Sequence, residues 1–481
     1  MDTASQLESY SDDLATSVRG LSTYIRSSDE QPSLPRQSPA VGSEVHREVQ
    51  RAKASILSSI AKIRASVCGP ADLLKHLASQ CEITACLRWL GEFQILACIP
   101  LSGSVPVKDM ADLSGVPEEQ LTRVIRLTAT IGFLHESQPG HVCHTPLSAA
   151  FVSDPSFLDA AMFLAESVAP AALQMAEATQ RTQLSYRPNG SAYNLAFNTT
   201  EPFQVARDER PRLSRQWTAY LHHAGGLHTA DNVIEILTRL NCSGGESESV
   251  RMVEINAPST ATAQSLVEAY PTLHYVVQVA NTATGAPCRF ALNTAATTFR
   301  TADRPAPARE PLDAGLNPRI TVANRAPGTR QIVTDAAVYI VHPPPVLGTP
   351  APGTPALEAI LAELQVHFGV LRANGSVMLI LTDRLLPEPG SVLDPEVEAV
   401  ARARDLTMLQ LANEGETELL ELIALVDSVR DGEGGLVVAN KLRLRGEIIV
   451  ALTVKYQAYA DASGEMQQCR QTDVSALFES V

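Results

Sequence analysis

Residues 253–260 read Val-Glu-Ile-Asn-Ala-Pro-Ser-Thr, and residues 270–279 read Tyr-Pro-Thr-Leu-His-Tyr-Val-Val-Gln-Val. This frame predicts a strand, a tight turn, a helix and a second strand, in the register of a nucleotide-binding βαβ unit. In a G-x-G-x-x-G loop the glycines permit the sharp turn and the close approach of a cofactor. The corresponding places in this chain hold Asn256, Ala257, Pro258 and Thr260. The pattern therefore predicts a retained βαβ scaffold whose cofactor pocket has been lost.

Length and composition describe an ordinary globular protein with a strongly acidic chain. The 481 residues predict about two to three domains at roughly 150 residues each. The hydrophobic fraction is 45% and the charged fraction 19%, which leaves ample material for a core. The formal net charge is -15, and a phosphate backbone repels such a chain. We therefore expect no direct nucleic-acid binding and a better fit to a basic protein partner.

The cysteines and the N-terminus indicate the cellular compartment. The eight cysteines contain no C-x-x-C pair, so their spacing predicts neither a zinc site nor a disulfide scaffold. We expect buried free thiols and no bound metal. The N-terminus lacks the basic and apolar regions of a signal peptide, and no apolar run approaches the ~20 residues of a membrane span. The sequence predicts an intracellular, soluble protein.

The first third of the chain is predicted to be helical. Residues 1–47 are expected to form a flexible N-terminal extension, with a short polar helix in 1–27 and a Pro-, Ser- and Gly-rich link over 28–44. A domain over residues 48–155 begins with three helices that apolar spacing places at 48–65, 70–79 and 84–93.

The rest of that domain has the order of a winged helix. Residues 107–115 predict a short helix that ends at a glycine, and Pro117 with two acids starts the next helix. Residues 132–136 and 141–145 predict two strands around Pro139-Gly140.

The second half of the chain alternates strands with helices. Helices over about 158–180 and 210–240 form a helical linker region, residues 156–245. Residues 246–460 are predicted to form an α/β domain built on a parallel sheet, followed by a tail over 461–481. Its strands are placed at 250–255, 275–279, 333–341, 376–382, 436–442 and 448–454, and its helices at 260–269, 356–371, 397–411 and 416–429. Residues 280–316 have weak periodicity and are interpreted as a long, partly disordered insertion.

Several local motifs carry a resemblance to a known superfamily over residues 50 to 460. They lie at 113–117, 121–126, 132–136, 144–148, 270–278, 405–409 and 413–417. The chain resembles the class I S-adenosylmethionine-dependent O-methyltransferases of fungi and plants. That resemblance implies a winged-helix dimerisation domain joined to a Rossmann-like methyltransferase domain.

Beyond the cofactor turn, two positions depart from what the superfamily needs for methyl transfer. The acid before the cofactor turn survives as Glu254, but Val279 stands where the resemblance implies a ribose-binding aspartate. Val346 takes the place of the catalytic histidine, and His342 lies four positions early, before Pro343–Pro345. A general base must come within about 3 Å of the proton that it takes. We therefore expect no catalytic residue, no bound cofactor and no methyl transfer, and so a degenerate cofactor site.

Such a degenerate methyltransferase resembles one group in particular, the aflatoxin-cluster coregulator family of fungi. The resemblance rests on the long N-terminal extension, the altered cofactor turn, and the Leu-Arg-Leu-Arg-Gly-Glu-Ile-Ile-Val ending at 442–450. It implies a non-catalytic transcriptional coactivator of a fungal polyketide or other secondary-metabolite gene cluster. The implied partner is a cluster-specific Zn₂Cys₆ transcription factor. A homodimer in the nucleus (and cytoplasm) is implied as well.

Two enzymatic alternatives stay open. The old substrate cavity could steer a polyketide through a cyclisation or pericyclic step, with a pocket lined by Tyr193, Phe197, Trp217 and His223. Alternatively, the chain is an active S-adenosylmethionine-dependent methyltransferase with an unusual cofactor loop.

Other polar residues are given structural interpretations. Arg123 and Arg126 of the winged helix could contact DNA, but the acidic total favours a dimerisation role. The adjacent His222 and His223 are interpreted as an exposed or core pair, because neighbours on a helix point in different directions. Glu416 is interpreted as a helix-start acid that favours the dipole.

Two further features have ordinary explanations. Lys441, Arg443 and Arg445 alternate with leucines, which is typical of a half-solvated edge strand, and a basic docking ridge is the alternative. The run Pro343–Pro345 is interpreted as a stiff loop, and a polyproline ligand is the alternative.

Overall fold

The computed structural model describes residues 3–29, 39–182, 189–224, 250–257, 260–280, 316–342, 355–381, 385–390, 395–444 and 448–459. The chain divides into two compact units. Unit 1 comprises Met1–Pro170, Pro211–Ala224 and Val392–Ala403, and unit 2 comprises Ala171–Arg210, Gly225–Ser391 and Arg404–Val481.

An antiparallel helical hairpin opens unit 1. It is formed by α1 (Thr3–Asp29) and α2 (Pro39–Val67). The Oγ atoms of Ser17 and Ser55 lie 2.8 Å apart, and the Lys62 ammonium lies over the Tyr10 ring, 6.0 Å from its centroid. The helix expected within residues 1–27 is present as α1. The link expected over 28–44 is helical from Pro39 onward, and residues 30–38 lie outside the described residues. Both helices are long because each lays one side against the other, which local composition does not reveal.

Unit 1 continues with further helices and a small sheet. The helices are α3 (Pro70–Glu92), α4 (Ile95–Cys98), α5 (Val107–Ser114), α6 (Glu118–Ala129), α7 (Pro146–Ser153), α8 (Pro155–Phe163) and α13 (Pro211–His223), and α9 (Ala169–Leu173) follows a π-turn at Leu164–Val168. The single helix α3 replaces the two helices expected at 70–79 and 84–93. No glycine or proline stands between those segments to end the first one.

The predicted helix, turn, helix and hairpin order is present. Between α5 and α6, Gly115 adopts a left-handed φ of 70°, as a C-terminal glycine does. Strands β1 (Val105–Pro106), β2 (Leu134–Gln138) and β3 (His141–His144) form a sheet in the order β1-β3-β2. Leu121 and Ile125 of α6 pack with Phe133 and Val142 in one apolar core. The dimerisation role of this segment stays a prediction.

One helical run in the described part of the chain is long and apolar. Pro155–Leu173, of 19 residues and mean hydropathy 1.3, would meet the length and composition of a membrane span, whereas no such run was expected. Within unit 1, however, its acids are paired with α13. Asp159 accepts from Arg215 at 2.6 Å and Glu166 from Arg212 at 3.0 Å. These ion pairs join the run to α13, and the side chains of Arg212 and Arg215 are 60% and 65% exposed.

Unit 2 is built on a seven-stranded sheet in the order β11-β12-β8-β7-β4-β5-β6. Its strands are β4 (Val250–Ile255), β5 (Leu273–Ala280), β6 (Ile320–Arg325), β7 (Val338–Val341), β8 (Val377–Leu381), β11 (Gly434–Leu444) and β12 (Ile448–Ala458). Neighbours from β8 to β6 run parallel, whereas β12 and β11 are antiparallel to their neighbours. The short strands β9 (Leu385–Leu386) and β10 (Thr417–Glu418) form a separate parallel pair. The predicted α/β class with a parallel-based sheet is confirmed.

Apolar side chains fill both faces of this sheet. The helices of unit 2 are α10 (Met175–Thr182), α11 (Ala192–Ala196), α12 (Phe203–Glu209), α14 (Ala261–Ala269), α15 (Pro355–Asn374) and α17 (Leu419–Ser428), and α16 (Pro395–Ala412) belongs to unit 2 from Arg404 onward. On one face Leu266 of α14 packs with Val277. On the other, Leu364 of α15 packs with Tyr339. Fully buried central strands therefore read as continuous apolar runs.

Strand β6 was not predicted, because it follows a stretch of weak periodicity and only its end residues Ile320 and Arg325 are buried. The expected insertion over 280–316 and the end of the helix expected at 210–240 fall almost wholly outside the described residues. Strand β11 is the sheet's edge, as predicted, with a half-buried Lys441. The side chains of Arg443 and Arg445 are outside the described part.

Five described cysteines are free thiols: Cys68, Cys81, Cys86, Cys98 and Cys143. Only Cys86 among them is buried, and Cys81 is exposed, so the expectation of buried thiols was wrong for most of this set. Burial, together with the nearby Glu82 carboxylate, raises the pKa of the Cys86 thiol.

Candidate cofactor crevice

The topology of unit 2 places a crevice at the carboxyl ends of β4 and β7. From β4 the chain moves outward through β5 to β6, and it then returns to β7 on the other side of β4. Ile255 at the end of β4 pairs with Gln278 of β5 and with Val341 of β7. Ligands of parallel α/β sheets bind at such a switch point. The positions singled out in the sequence, from Asn256 to His342, meet at this edge.

The turn after β4 keeps its sharp course without glycine. Asn256 has a φ of 57°, in the left-handed region that glycine adopts freely and asparagine tolerates best among other residues. The Ala257 N–H donates to the carbonyl oxygen of Gln278 at 3.2 Å. The tight turn that the sequence predicts is therefore kept, although no glycine stands at this place.

The Asn256 side chain lies in the space that a glycine would leave open. Its Nδ2 donates to the His342 carbonyl oxygen at 3.3 Å, so the side chain bridges the ends of β4 and β7. Asn256 is 9% exposed and Ala257 is 5% exposed. Thr260, just before α14, is half-buried. Pro258 lies outside the described residues, and its effect on the pocket stays a prediction.

His342 is held against the surviving acid of the turn. Its Nε2 lies 2.6 Å from Oε1 of Glu254, and its backbone N–H donates to the Ile255 carbonyl at 3.0 Å. The Glu254 side chain is 0% exposed, and its second oxygen has no hydrogen-bond partner among the described residues. This contact engages Oε1 of the carboxylate and keeps the His342 ring away from the role of a free base.

Among the residues that the structure describes, the end of β5 carries no carboxylate. Val279 is buried in an apolar cluster with Ala257, Ala263 and Leu266. An apolar side chain therefore stands where the resemblance implies a ribose-binding acid. Val346 and Pro343–Pro345 lie outside the described residues. The replacement of the catalytic histidine by Val346 therefore stays a prediction.

Glu416 has a different role from the one expected. Its carboxylate accepts two hydrogen bonds from the Arg404 guanidinium, at 2.5 and 2.7 Å, and both side chains are 4% exposed. Helix α17 begins only at Leu419, so Glu416 is not in its first turn. The interpretation as a helix-dipole acid was wrong, because a buried carboxylate needs a charged partner.

The four residues proposed for a cyclase pocket fall into different units. Tyr193 is buried in unit 2, where its ring packs against Phe197 and Phe203, and burial raises the pKa of its phenol. Trp217 is buried in unit 1 against Phe163 and Tyr220. These two side chains serve as core.

His223 also lies in unit 1 and stacks on Phe157, with ring centroids 4.1 Å apart. Its Nε2 is 2.7 Å from the Ser156 hydroxyl, and burial, with His222 nearby, lowers the pKa of the imidazole. His222 is exposed. The interpretation of this pair as packing and surface residues is confirmed.

The basic residues of α6 do not form a free cationic patch. The Arg126 guanidinium donates to both Glu136 oxygens, at 3.1 and 3.3 Å. This contact raises the pKa of Arg126 and lowers the pKa of Glu136. Arg123 is exposed. Among the described residues no group of three or more His, Cys, Asp or Glu side chains could hold a metal ion.

A buried polar network in unit 2 was missed by the sequence analysis. Gln278 and Gln331 exchange amide hydrogen bonds at 2.8 and 3.1 Å, and His367 lies 3.1 Å from Gln331. Arg325 pairs with Glu363 through two bonds of 3.1 and 2.9 Å. Burial lowers the pKa of His367. The spacing of Glu363 and His367, one turn apart in an apolar helix, was the available signal.

A comparison with protein families matches the N-terminal hairpin. The model described as the N-terminal domain of the trypacidin cluster transcriptional coactivator tpcD matches residues 4–68. That segment contains nearly all of α1 and α2.

Two relatives are similar over almost the whole chain. The transcriptional coactivator nsrH of Aspergillus novofumigatus (strain IBT 16806) is 47% identical over 475 residues, 95% of this chain and 99% of nsrH. The notoamide biosynthesis cluster transcriptional coactivator notR of Aspergillus sp. (strain MF297-2) is 46% identical over 467 residues, again 95% and 99% of the two chains.

Solved structures share the fold at low identity. LepI in complex with SAM superposes with a TM-score of 0.59 at 14% identity, covering 87% of this chain and 98% of LepI. The mitomycin 7-O-methyltransferase MmcR gives 0.53 at 16% identity, covering 80% and 98%. These likenesses confirm the expected methyltransferase-like fold.

Proposed function

The chain belongs to the family of fungal transcriptional coactivators of secondary-metabolite gene clusters, and we propose that it is catalytically silent. In this proposal the protein acts in the nucleus as a stoichiometric scaffold. It docks a cluster-specific Zn₂Cys₆ transcription factor and changes that factor's occupancy of its promoters. The methyltransferase-like domain over residues 246–460 then supplies shape and stability rather than chemistry.

One observation carries the proposal, the closure of the crevice by this chain's own side chains. Asn256 bridges to the end of β7 at 3.3 Å, and His342 occupies one oxygen of Glu254 at 2.6 Å. A cofactor seated there would have to displace Asn256, and Val279 offers it no ribose carboxylate. A hydrogen bond to a charged group contributes about 1.5–3 kcal/mol, so losing the ribose contact alone would weaken binding by roughly ten- to hundredfold.

Isothermal titration with S-adenosylmethionine tests the silent crevice. We expect no binding heat for the full chain under conditions in which an active methyltransferase of this fold, as the control, binds the cofactor. Micromolar affinity would contradict the proposal and favour the methyltransferase alternative.

Gene deletion tests the coactivator role. We expect transcripts of the whole cluster to fall together, and the wild-type allele to restore them. Accumulation of one biosynthetic intermediate with unchanged transcripts would instead support the cyclase alternative. A fluorescent fusion should concentrate in the nucleus.

The proposal includes a homodimer formed through residues 48–155. Leu73, Leu74 and Leu77 are exposed side by side on α3, and exposed apolar patches of this kind mark protein interfaces. In sedimentation we expect Leu74→Glu/Leu77→Glu to reduce the dimer mass to that of a monomer. The matched control is Ile332→Glu, an exposed apolar residue of unit 2, which should leave the mass unchanged.

A further inference from the structure

One side of α2 presents a regular stripe of basic and apolar side chains. Its members are Lys53, Leu57, Ile60, Arg64 and Val67, and we call it the α2 stripe. Their spacing alternates between four and three residues, the repeat that a packed helical partner requires. Leu57, Ile60 and Val67 are 54%, 48% and 63% exposed. Lys53 and Arg64 are exposed as well.

The α2 stripe faces away from α1. The contacts to α1 come from the other side of α2, through Ser55 and Lys62, and Ser58 and Ser59 of that side are buried. At 100° per residue, the centre of the stripe lies about 160° around the helix from Ser55. Lys53 and Arg64 form no ion pair within the described residues. The stripe is therefore an outer face that the hairpin leaves without a partner.

The charge of α2 is opposite to that of the protein. This helix contains five basic residues (Arg47, Arg51, Lys53, Lys62, Arg64) and two acidic ones (Glu44, Glu48), a difference of +3, within a chain of net charge -15. Glu48 lies about 140° around the helix from the centre of the stripe. A basic, apolar face on an acidic protein selects partners by charge as well as by hydrophobic contact.

We propose that the α2 stripe binds an acidic amphipathic helix of the cluster's transcriptional activator. This inference rests on the proposed coactivator function and names the chemistry of its partner. The three apolar side chains would pack into the spaces between side chains of the partner helix, and Lys53 and Arg64 would pair with its carboxylates. Acidic and apolar residues alternate in many activation segments that are disordered until bound.

Other occupants fit the stripe less well. A second copy of the chain would bring a second α2 with the same basic excess, so that this face would meet like charge. An anionic lipid surface attracts basic helices, but the net charge of -15 opposes the approach of the whole protein to that surface. The match of residues 4–68 to a coactivator domain ties the hairpin to the family's common role.

A fluorescein-labelled synthetic helix of leucine and glutamate heptads tests the inference with the full chain. We expect anisotropy to report binding that weakens as salt rises, and no binding of the same heptads with lysine in place of glutamate. The variant Lys53→Glu/Arg64→Glu should bind about tenfold more weakly, because each exposed pair turns from attraction to repulsion. Its matched control, Arg51→Glu/Arg123→Glu, changes the charge equally at exposed sites off the stripe and should bind like the wild type.

Three results would overturn the inference. In the first, the stripe variant and its control bind the peptide with equal affinity. In the second, the stripe variant alone has a lower sedimentation mass than the wild type. In the third, phosphatidylserine vesicles compete with the peptide for the protein as tightly as the peptide itself binds. In the fungus the stripe variant should lower cluster transcripts as gene deletion does. If deletion lowers them and the stripe variant does not, the inference fails while the coactivator function stands. If deletion changes nothing, the proposed function itself fails.

Discussion

Replacing His342 with alanine should expose the energetic role of the closed crevice. The Glu254 carboxylate is 0% exposed and its Oε2 already has no hydrogen-bond partner among the described residues. His342→Ala removes the partner of Oε1 as well, which leaves a buried charge uncompensated. Breaking such a pair costs about 3–5 kcal/mol. Because His342 is 18% exposed and water can enter the gap, we expect a loss of about 2–3 kcal/mol in the free energy of unfolding.

A double-mutant cycle distinguishes lost charge compensation from lost packing. Glu254→Gln removes the charge, so Glu254→Gln/His342→Ala should recover about 1–2 kcal/mol relative to His342→Ala alone.

Urea unfolding followed by circular dichroism measures these differences. The matched control is His274→Ala, an exposed histidine of the same sheet, which should change stability by no more than about 0.5 kcal/mol. The reasoning is refuted if His342→Ala costs less than about 1 kcal/mol, or if Glu254→Gln brings no recovery in its presence.

Two more predictions concern stability. Arg404→Met should cost about 3–5 kcal/mol in urea unfolding, because it removes the charged partner that donates two hydrogen bonds to the buried Glu416 carboxylate. The half-exposed Arg402→Met should cost no more than about 1 kcal/mol. Equal costs would contradict the buried pair. Asp154 caps α8 by accepting from the Ser156 hydroxyl and N–H at 2.6 and 3.0 Å, and these bonds, led by the hydroxyl, lower the pKa of its carboxyl from 3.8. Asp154→Ala should therefore lower the free energy of unfolding by about 1 kcal/mol at neutral pH. This difference from wild type should disappear as the pH falls below 3.8 through the lowered folded-state pKa, because the protonated carboxyl loses its advantage in the folded state. A difference that persists in acid would exclude the charged cap.

The elements of the α/β unit could be predicted from the sequence alone. Apolar runs and helical periodicity located β4, α14 and β5 to within about two residues at most boundaries. Because residue 279 is valine, the sequence was enough to predict an apolar side chain in place of the ribose-binding carboxylate that the resemblance implies. These conclusions depend on residue type and local spacing, which the sequence states directly.

The tertiary structure decided which side chains meet. Glu254 and His342 are 88 positions apart in the chain, and only the parallel register of β4 and β7 brings them together. The partner of Glu416 is likewise set by the packing of α16 rather than by its own neighbours. Asn256 shows both contributions. The sequence alone identifies an asparagine, which tolerates a left-handed turn, whereas its hydrogen bond to the His342 carbonyl depends on the position of the end of β7. Hydrogen bonds between distant segments depend on register and burial, and no local pattern of residues encodes them.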